Sequence, residues 1–321
     1  MFVGIMAGVL WGLDTVVLGL ALAMTPFVST EQAVVLAPFI STFLHDFFSS
    51  VWMLIYMGIR KQYRNVIRAL KAKSGKYVIL AALLGGPIGM SGYVAAINFI
   101  GPAYTAIISA MFPALGAFFA FIFLKEKMKP IQIFGLGTSI LGVIILGYTP
   151  AAHNMNHMLI GFACAVLCCV GWAVEAVICD YGMKDLNVSD EQALQIRQMT
   201  SALFYGIVIV PVLKGWRLTM KIMVTPAAGT ILLAALFGTA SYLCYYKAIN
   251  KLGASKAMPL NITYSAWSIL FSWMILGTCP DVKSIISGIM IICGSILAAV
   301  DLSEAVKSMK HLFKINERGM E

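Results

Sequence analysis

Ala96-Ile97-Asn98-Phe99-Ile100-Gly101 recurs in this chain as Ala248-Ile249-Asn250-Lys251-Leu252-Gly253. Each copy lies near the end of one apolar segment and just before the next. A second echo lies upstream of both. Trp11-Gly12-Leu13-Asp14 is answered by Trp172-Ala173-Val174-Glu175, with an aromatic and an acid three residues apart inside an apolar run. Repetition at this scale in an apolar chain is the mark of a membrane protein built from two related halves.

Composition supports the membrane reading. Apolar residues make up 60% of the chain and charged residues 12%, against about 45–50% and about 25% in soluble domains. That balance excludes a soluble globular protein. Apolar stretches of about 20 residues are long enough to cross about 30 Å of hydrocarbon. Ten such helices are expected, near 2–24, 32–58, 77–98, 102–124, 131–148, 158–180, 192–213, 227–249, 255–277 and 283–301. The expected fold is all-α, with a first five-helix repeat in residues 1–150 and a second in 151–302. A basic tail follows in 303–321. The first segment lacks a basic leader and is long enough to span, so no cleavable signal is expected.

The net charge of +9 reports topology, not nucleic acid, because most of the basic residues fall between apolar runs. With the N-terminus inside, eighteen Lys and Arg lie on the cytoplasmic side and four outside, with Arg197 left within a helix. The cytoplasmic set includes the loop from Arg60 to Lys76; the outer set is Lys214, Arg217, Lys221 and Lys283. Both termini are therefore expected in the cytoplasm of a multi-pass plasma-membrane protein. An odd number of helices per half makes the second half enter the membrane upside down. In such inverted repeats the ligand site falls near the midplane between the halves.

Ionisable residues at membrane depth default to function, because each costs at least about 2.5–3.5 kcal/mol to insert. The candidates are Asp14, His45, Asp46, Glu175 and Arg197. The bland alternative is a buried ion pair that fixes helix packing. It is strongest for Arg197, since Arg clamps carboxylates and does not readily lose its proton. Aromatic residues keep step with the acids. Trp11 and Trp172 each share a helical face with an acid at i+3. Tyr242, Tyr245 and Tyr246 form one stripe; Asn261, Tyr264 and Trp267 form another, with Phe271 one turn further. Such stripes are usually packing or interfacial belts. Here they are centred within helices and flanked by acids. Aromatic faces with carboxylates suit a quaternary ammonium, which is held by cation–π contact worth up to about 2 kcal/mol per ring. Glu175 is the expected main counter-charge and proton carrier, with Asp46 its rival and His45 a further alternative.

Gly85-Gly86-Pro87-Ile88-Gly89-Met90 interrupts the third helix, where a kink or close helix contact is expected. Pro113 and Pro259 are further bends. The seven cysteines imply no disulfide framework. Cys164 and Cys168 share a face, but small apolar packing is the favoured role. No phosphate loop, zinc motif or nucleophile elbow is present, so neither enzyme, metal nor cofactor is expected.

Several fragments together carry a family resemblance. They are His45-Asp46-Phe47, Gly86-Pro87-Ile88-Gly89-Met90, Trp172 with Glu175, and Ile196-Arg197-Gln198 with Thr200-Ser201. Ser241-Tyr242-Leu243 with Tyr245-Tyr246, Ala248-Ile249-Asn250, and Leu260-Asn261 with Tyr264 and Trp267 complete the set. In this order the chain resembles the drug/metabolite transporter superfamily, and within it the bacterial Lic-type choline transporters. The resemblance implies an importer of choline or a related quaternary amine, driven by protons, membrane potential or both. Asp14 departs from that pattern, which bears on coupling and substrate range. The alternatives are an exporter of amino acids or drugs on the same fold, or a flippase for lipid-linked sugars. The expected partners are a small cationic substrate, protons and the lipid bilayer.

Overall fold

The fold is that of a computed structural model, which describes residues 1–148, 158–184 and 188–300. For residues 98, 101–104, 106 and 107 it describes the backbone alone. The junction at 149–157 and the basic tail 303–321 lie outside the described residues. The described chain is helical: α1 (Phe2–Leu22), α2 (Glu31–Ile59), α3 (Tyr63–Lys71), α4 (Lys73–Leu83), α5 (Met90–Ser109), α6 (Phe112–Phe119) and α7 (Pro130–Gly147). It continues with α8 (Met158–Lys184), α9 (Asp190–Phe204), α10 (Val210–Val212), α11 (Trp216–Met223) and α12 (Pro226–Leu252). The last three are α13 (Ala254–Ile262), α14 (Tyr264–Leu276) and α15 (Val282–Ala299). Three π-helical segments, Leu84–Gly89, Ala120–Leu124 and Tyr205–Ile209, join neighbouring helices end to end or extend them.

Eight of these helical runs are long and apolar enough to cross a membrane. The other two expected spans are interrupted. The ninth divides into α13 and α14 at Thr263, one turn after Pro259. Pro259 brings no N–H to the helix ladder, and the Thr263 hydroxyl donates to the Leu260 carbonyl at 2.6 Å. The fourth begins at Phe112–Pro113, and Phe112–Leu124 is an apolar run shorter than a full span. The break expected at Phe99–Gly101 is not there: α5 continues to Ser109, and the turn falls at Ala110–Met111. The two sequence echoes thus diverge locally. Gly253 ends α12 at φ +85°, a conformation that favours glycine, whereas Gly101 lies within a continuing helix.

Small residues let the helices approach closely, as membrane helices require. Gly4, Gly8 and Gly12 recur along one face of α1. A Cβ at Gly12 would lie 2.7 Å from the Cβ of Trp267, and one at Gly8 would strike the Thr263 hydroxyl. Helix α1 therefore seats on α13 and α14, and packs along α12 as well. Helices α7 and α15 meet through Gly135, Gly142 and Gly294, with the Ser139 and Ser295 hydroxyls 2.9 Å apart.

The glycine-rich interruption is the π-helical segment Leu84–Gly89, packed against α8. A Cβ on Gly85 would fall on the Glu175 carboxylate, and one on Gly86 would lie 2.6 Å from the Ser201 hydroxyl. One on Gly89 would lie 3.3 Å from the Trp172 ring. The glycines clear space for three side chains from facing helices. Helix α9, which carries Arg197, starts at a capping box in which Ser189 accepts from the Gln192 N–H and the Gln192 side chain accepts from the Ser189 N–H.

Helix α13 begins on two carboxylates. Asp180 accepts from the Ala254 N–H at 3.2 Å, and Glu126 accepts from the Ser255 N–H and hydroxyl at 3.1 and 2.6 Å. These bonds satisfy donors that a helix N-terminus leaves free. Burial alone would raise the Glu126 carboxyl. Hydrogen bonding with Asp180 and Ser255 outweighs it, with Lys184 nearby, and holds the group below the usual carboxylate range.

Two outcomes are expected. Gly85→Ala drives a methyl into Glu175 and lowers the thermal midpoint in detergent, an overpacking cost of about 1–3 kcal/mol; Gly19→Ala, where a Cβ meets nothing, is the control. The Glu126 value is depressed on folding, so its contribution is present above the unfolded value and lost as pH falls through the folded one. Thermal melts across that acidic limb drop for the wild type and flatten for Glu126→Gln.

Candidate substrate-binding site

Five helices carry charge or its partners into one cavity of about 140 Å³. Asp14 comes from α1, His45 and Asp46 from α2, Glu175 from α8 and Arg197 from α9, and Tyr242 from α12 closes over them. All five ionisable groups are buried, none more than 8% exposed. They form a continuous ladder. His45 Nε2 lies 3.0 Å from Asp14 Oδ1, and His45 Nδ1 lies 3.7 Å from Asp46 Oδ1. Arg197 Nη1 donates to Asp46 Oδ1 at 3.3 Å and Nε donates to Glu175 Oε1 at 3.0 Å. Ser201 donates to Asp46 Oδ2 at 2.5 Å, and Arg197 also donates to Gln198 and to the Tyr242 hydroxyl.

Aromatic rings line the same cavity. Trp11 meets Tyr242 edge-on at 4.7 Å and Tyr264 at 6.3 Å. Trp172 stands between Tyr93 and Phe112, at 5.5 and 5.8 Å. Tyr242, Tyr245 and Tyr246 pack on one another at 6.1–6.5 Å. The Arg197 guanidinium sits 4.6 Å from the centre of the Tyr242 ring, so one face of that ring holds the protein's own cation. The Tyr246 hydroxyl reaches Glu175 at 3.4 Å and orients it.

Of the residues singled out from sequence, Trp11, Asp14, His45, Asp46, Trp172, Glu175, Arg197, Tyr242, Tyr245, Tyr246, Asn261 and Tyr264 all line this cavity. Trp267 does not. Its Cβ packs against Gly12 of α1, and its indole N–H is buried without a hydrogen-bond partner. The three-residue step from Asn261 carries through Tyr264, but the close seat of α14 on α1 takes the next position for packing. Phe112, Met90, Thr42 and Cys179 line the cavity without having been anticipated. Phe112 belongs to neither an acid pair nor a repeat, so nothing in its local sequence separates it from core. Ser201 was legible only as part of Thr200-Ser201. Among the described residues no cluster of three or more His, Cys, Asp or Glu could hold a metal, and Cys164 and Cys168 are free thiols.

Residues 1–148 and 159–300 match the EamA-like transporter family. The chain belongs to that family. It is accordingly a multi-pass membrane protein of a transporter family. Protein LicB of Haemophilus influenzae is 35% identical over 198 residues, covering 61% of this chain and 65% of LicB. An uncharacterized transporter of Clostridium kluyveri is 25% identical over 228 residues, covering 69% of this chain and 71% of that protein. A solved crystal structure shares the fold with a TM-score of 0.69 at 16% identity, over 92% of this chain and 96% of the other.

Arg197→Met leaves Asp46 and Glu175 buried without their shared cation. Such a loss costs about 3–5 kcal/mol, so the thermal midpoint in detergent falls sharply. Arg197→Lys recovers only part of it, because a point ammonium cannot reproduce the guanidinium fork.

Proposed function

We propose that this EamA-family transporter imports choline or a closely related quaternary amine across the plasma membrane. The observation that carries the reading is the charge content of the cavity. Three carboxylates, Asp14, Asp46 and Glu175, share it with one permanent cation, Arg197, and one histidine. Even a protonated His45 leaves the cavity one negative charge in excess. A ligand cation is the natural complement, since buried charge must be paired. The rings of Trp11, Trp172, Tyr245 and Tyr264 offer it cation–π surface. Asn261 adds a carboxamide whose oxygen is buried and has no hydrogen-bond partner. A ligand hydroxyl would supply the missing donor, which favours choline over a bare tetraalkylammonium. The resemblance to the Lic-type proteins and the similarity to LicB support the same substrate class.

The transporter is proposed to span the membrane ten times as two inverted halves, with both termini in the cytoplasm. The paired contacts of α1 with α12 and of α5 with α8, and the central pairing of α7 with α15, support this arrangement. So does the charge bias of the loops. Entry is electrically favourable. A monovalent cation gains about 2.3 kcal/mol per 100 mV, enough for roughly fifty-fold accumulation before any coupled ion is added.

Three measurements test this. Trp172→Ala weakens choline binding about ten-fold, read by titration of purified protein; unchanged affinity in Ala variants of Trp172, Tyr245 and Tyr264 alike excludes the cage. Glu175→Gln keeps the size and removes the charge, and costs at least about ten-fold in choline affinity. In a background without native cysteines, a cysteine at Asn154 is labelled from outside and one at Lys310 only after permeabilisation. Equal access to both from outside refutes the topology.

A further inference from the structure

We infer that the Asp14–His45 pair carries a co-transported proton, and that Asp14 thereby sets how many charges move with each substrate cation. This rests on the cation reading above and adds the coupling site to it. The sequence alone favours Glu175 as the proton carrier. The geometry favours His45.

Glu175 and Asp46 each already have the permanent cation Arg197 as partner, and Ser201 donates to the second oxygen of Asp46. Arg197 does not give up its proton. His45 is the one member of the ladder whose ordinary titration lies near neutrality. Its Nε2 points at Asp14 Oδ1, 3.0 Å away, and its Nδ1 faces Asp46 Oδ1 at 3.7 Å. The titratable and charged groups around it are Asp14 on α1, Asp46 on α2 itself, Glu175 on α8, Arg197 on α9 and Tyr242 on α12. Gly238 of α12 lets Asp14 and His45 approach that helix, since a Cβ there would lie 2.7 Å from the imidazole and 3.1 Å from the carboxylate.

The charges then count as follows. With His45 protonated, three carboxylates face two cations, and one substrate cation brings the occluded cavity to neutrality. With His45 neutral, the same cation leaves one buried negative charge without a partner, which the low-dielectric interior penalises. The neutral, doubly loaded state is therefore the one that crosses between outward- and inward-facing forms. Discharge is built into the packing. Helix α1 lies mainly on α12 and α14, and α2 mainly on α12 and α9, so few contacts other than this ion pair join α1 to α2. A motion that parts them takes Asp14 from His45. The imidazolium N–H then breaks, and the proton passes to water on the side to which the cavity has opened.

The full chain reconstituted in liposomes, with labelled choline, provides the test. The ratio of charge to choline is read from the voltage at which net flux reverses, with and without a pH gradient. The wild type moves about two charges per choline, and Asp14→Asn about one, no longer responding to the pH gradient. His45→Gln alone strands an unpaired negative charge and lowers uptake at least about ten-fold. Adding Asp14→Asn to His45→Gln removes that charge and restores most of the uptake, now insensitive to the pH gradient. A wild-type ratio of one, or a double variant no better than His45→Gln, overturns the assignment. Choline binding to the wild type is measured separately by quenching of tryptophan fluorescence. Binding with a ratio of one refutes the coupling site alone. No binding refutes the cation reading, and this inference with it.

Discussion

The Arg197 guanidinium is the interaction around which the interior is arranged. It joins Glu175 of α8 to Asp46 of α2 and lies on the Tyr242 ring of α12 while itself belonging to α9. Four helices are thereby tied at one point deep in the bundle. A guanidinium can do this because its planar fork offers several donors in fixed directions. Bringing so many charges out of water is costly unless each is paired. On this side of the ladder Glu175 and Asp46 share one cation that does not titrate. The Asp14–His45 pair at the far end is tied to fewer elements, joining α1 to α2.

Glycine makes that arrangement sterically possible. The Glu175 side chain occupies the position that a Cβ on Gly85 would take, and Trp172 and Ser201 nest against Gly89 and Gly86. A π-helical segment, with its wider turn, coincides with this contact, as such segments often do at functional sites. The same glycines that loosen the helix thus set the position of the Glu175 carboxylate. On the opposite wall, Gly8 and Gly12 bring α1 close enough to α13 and α14 for Trp11 to approach Tyr264 at 6.3 Å. The seat takes the Trp267 Cβ against Gly12, and Trp267 does not line the cavity.

What the sequence determined by itself is set by periodicity and by the cost of burying charge. Apolar runs of about 20 residues specify membrane helices, and embedded acids one turn from tryptophan specify a polar, aromatic face on each helix that bears them. Twelve of the fourteen residues so marked meet in one cavity, Trp267 and Phe271 being the exceptions, because a charge at membrane depth has nowhere to go except toward other charges. The partners within that cavity were decided by the tertiary structure alone. Nothing in the sequence indicates that Arg197 faces both Glu175 and Asp46, that Asp14 faces His45, or that Trp267 packs on Gly12. Those pairings depend on how closely and at what height separate helices cross, which glycines on one helix and side chains on another set together. The ends of helices were likewise undecided locally: Gly253 breaks its helix with a Glu126 carboxylate against it, while Gly101, in the same sequence context, does not.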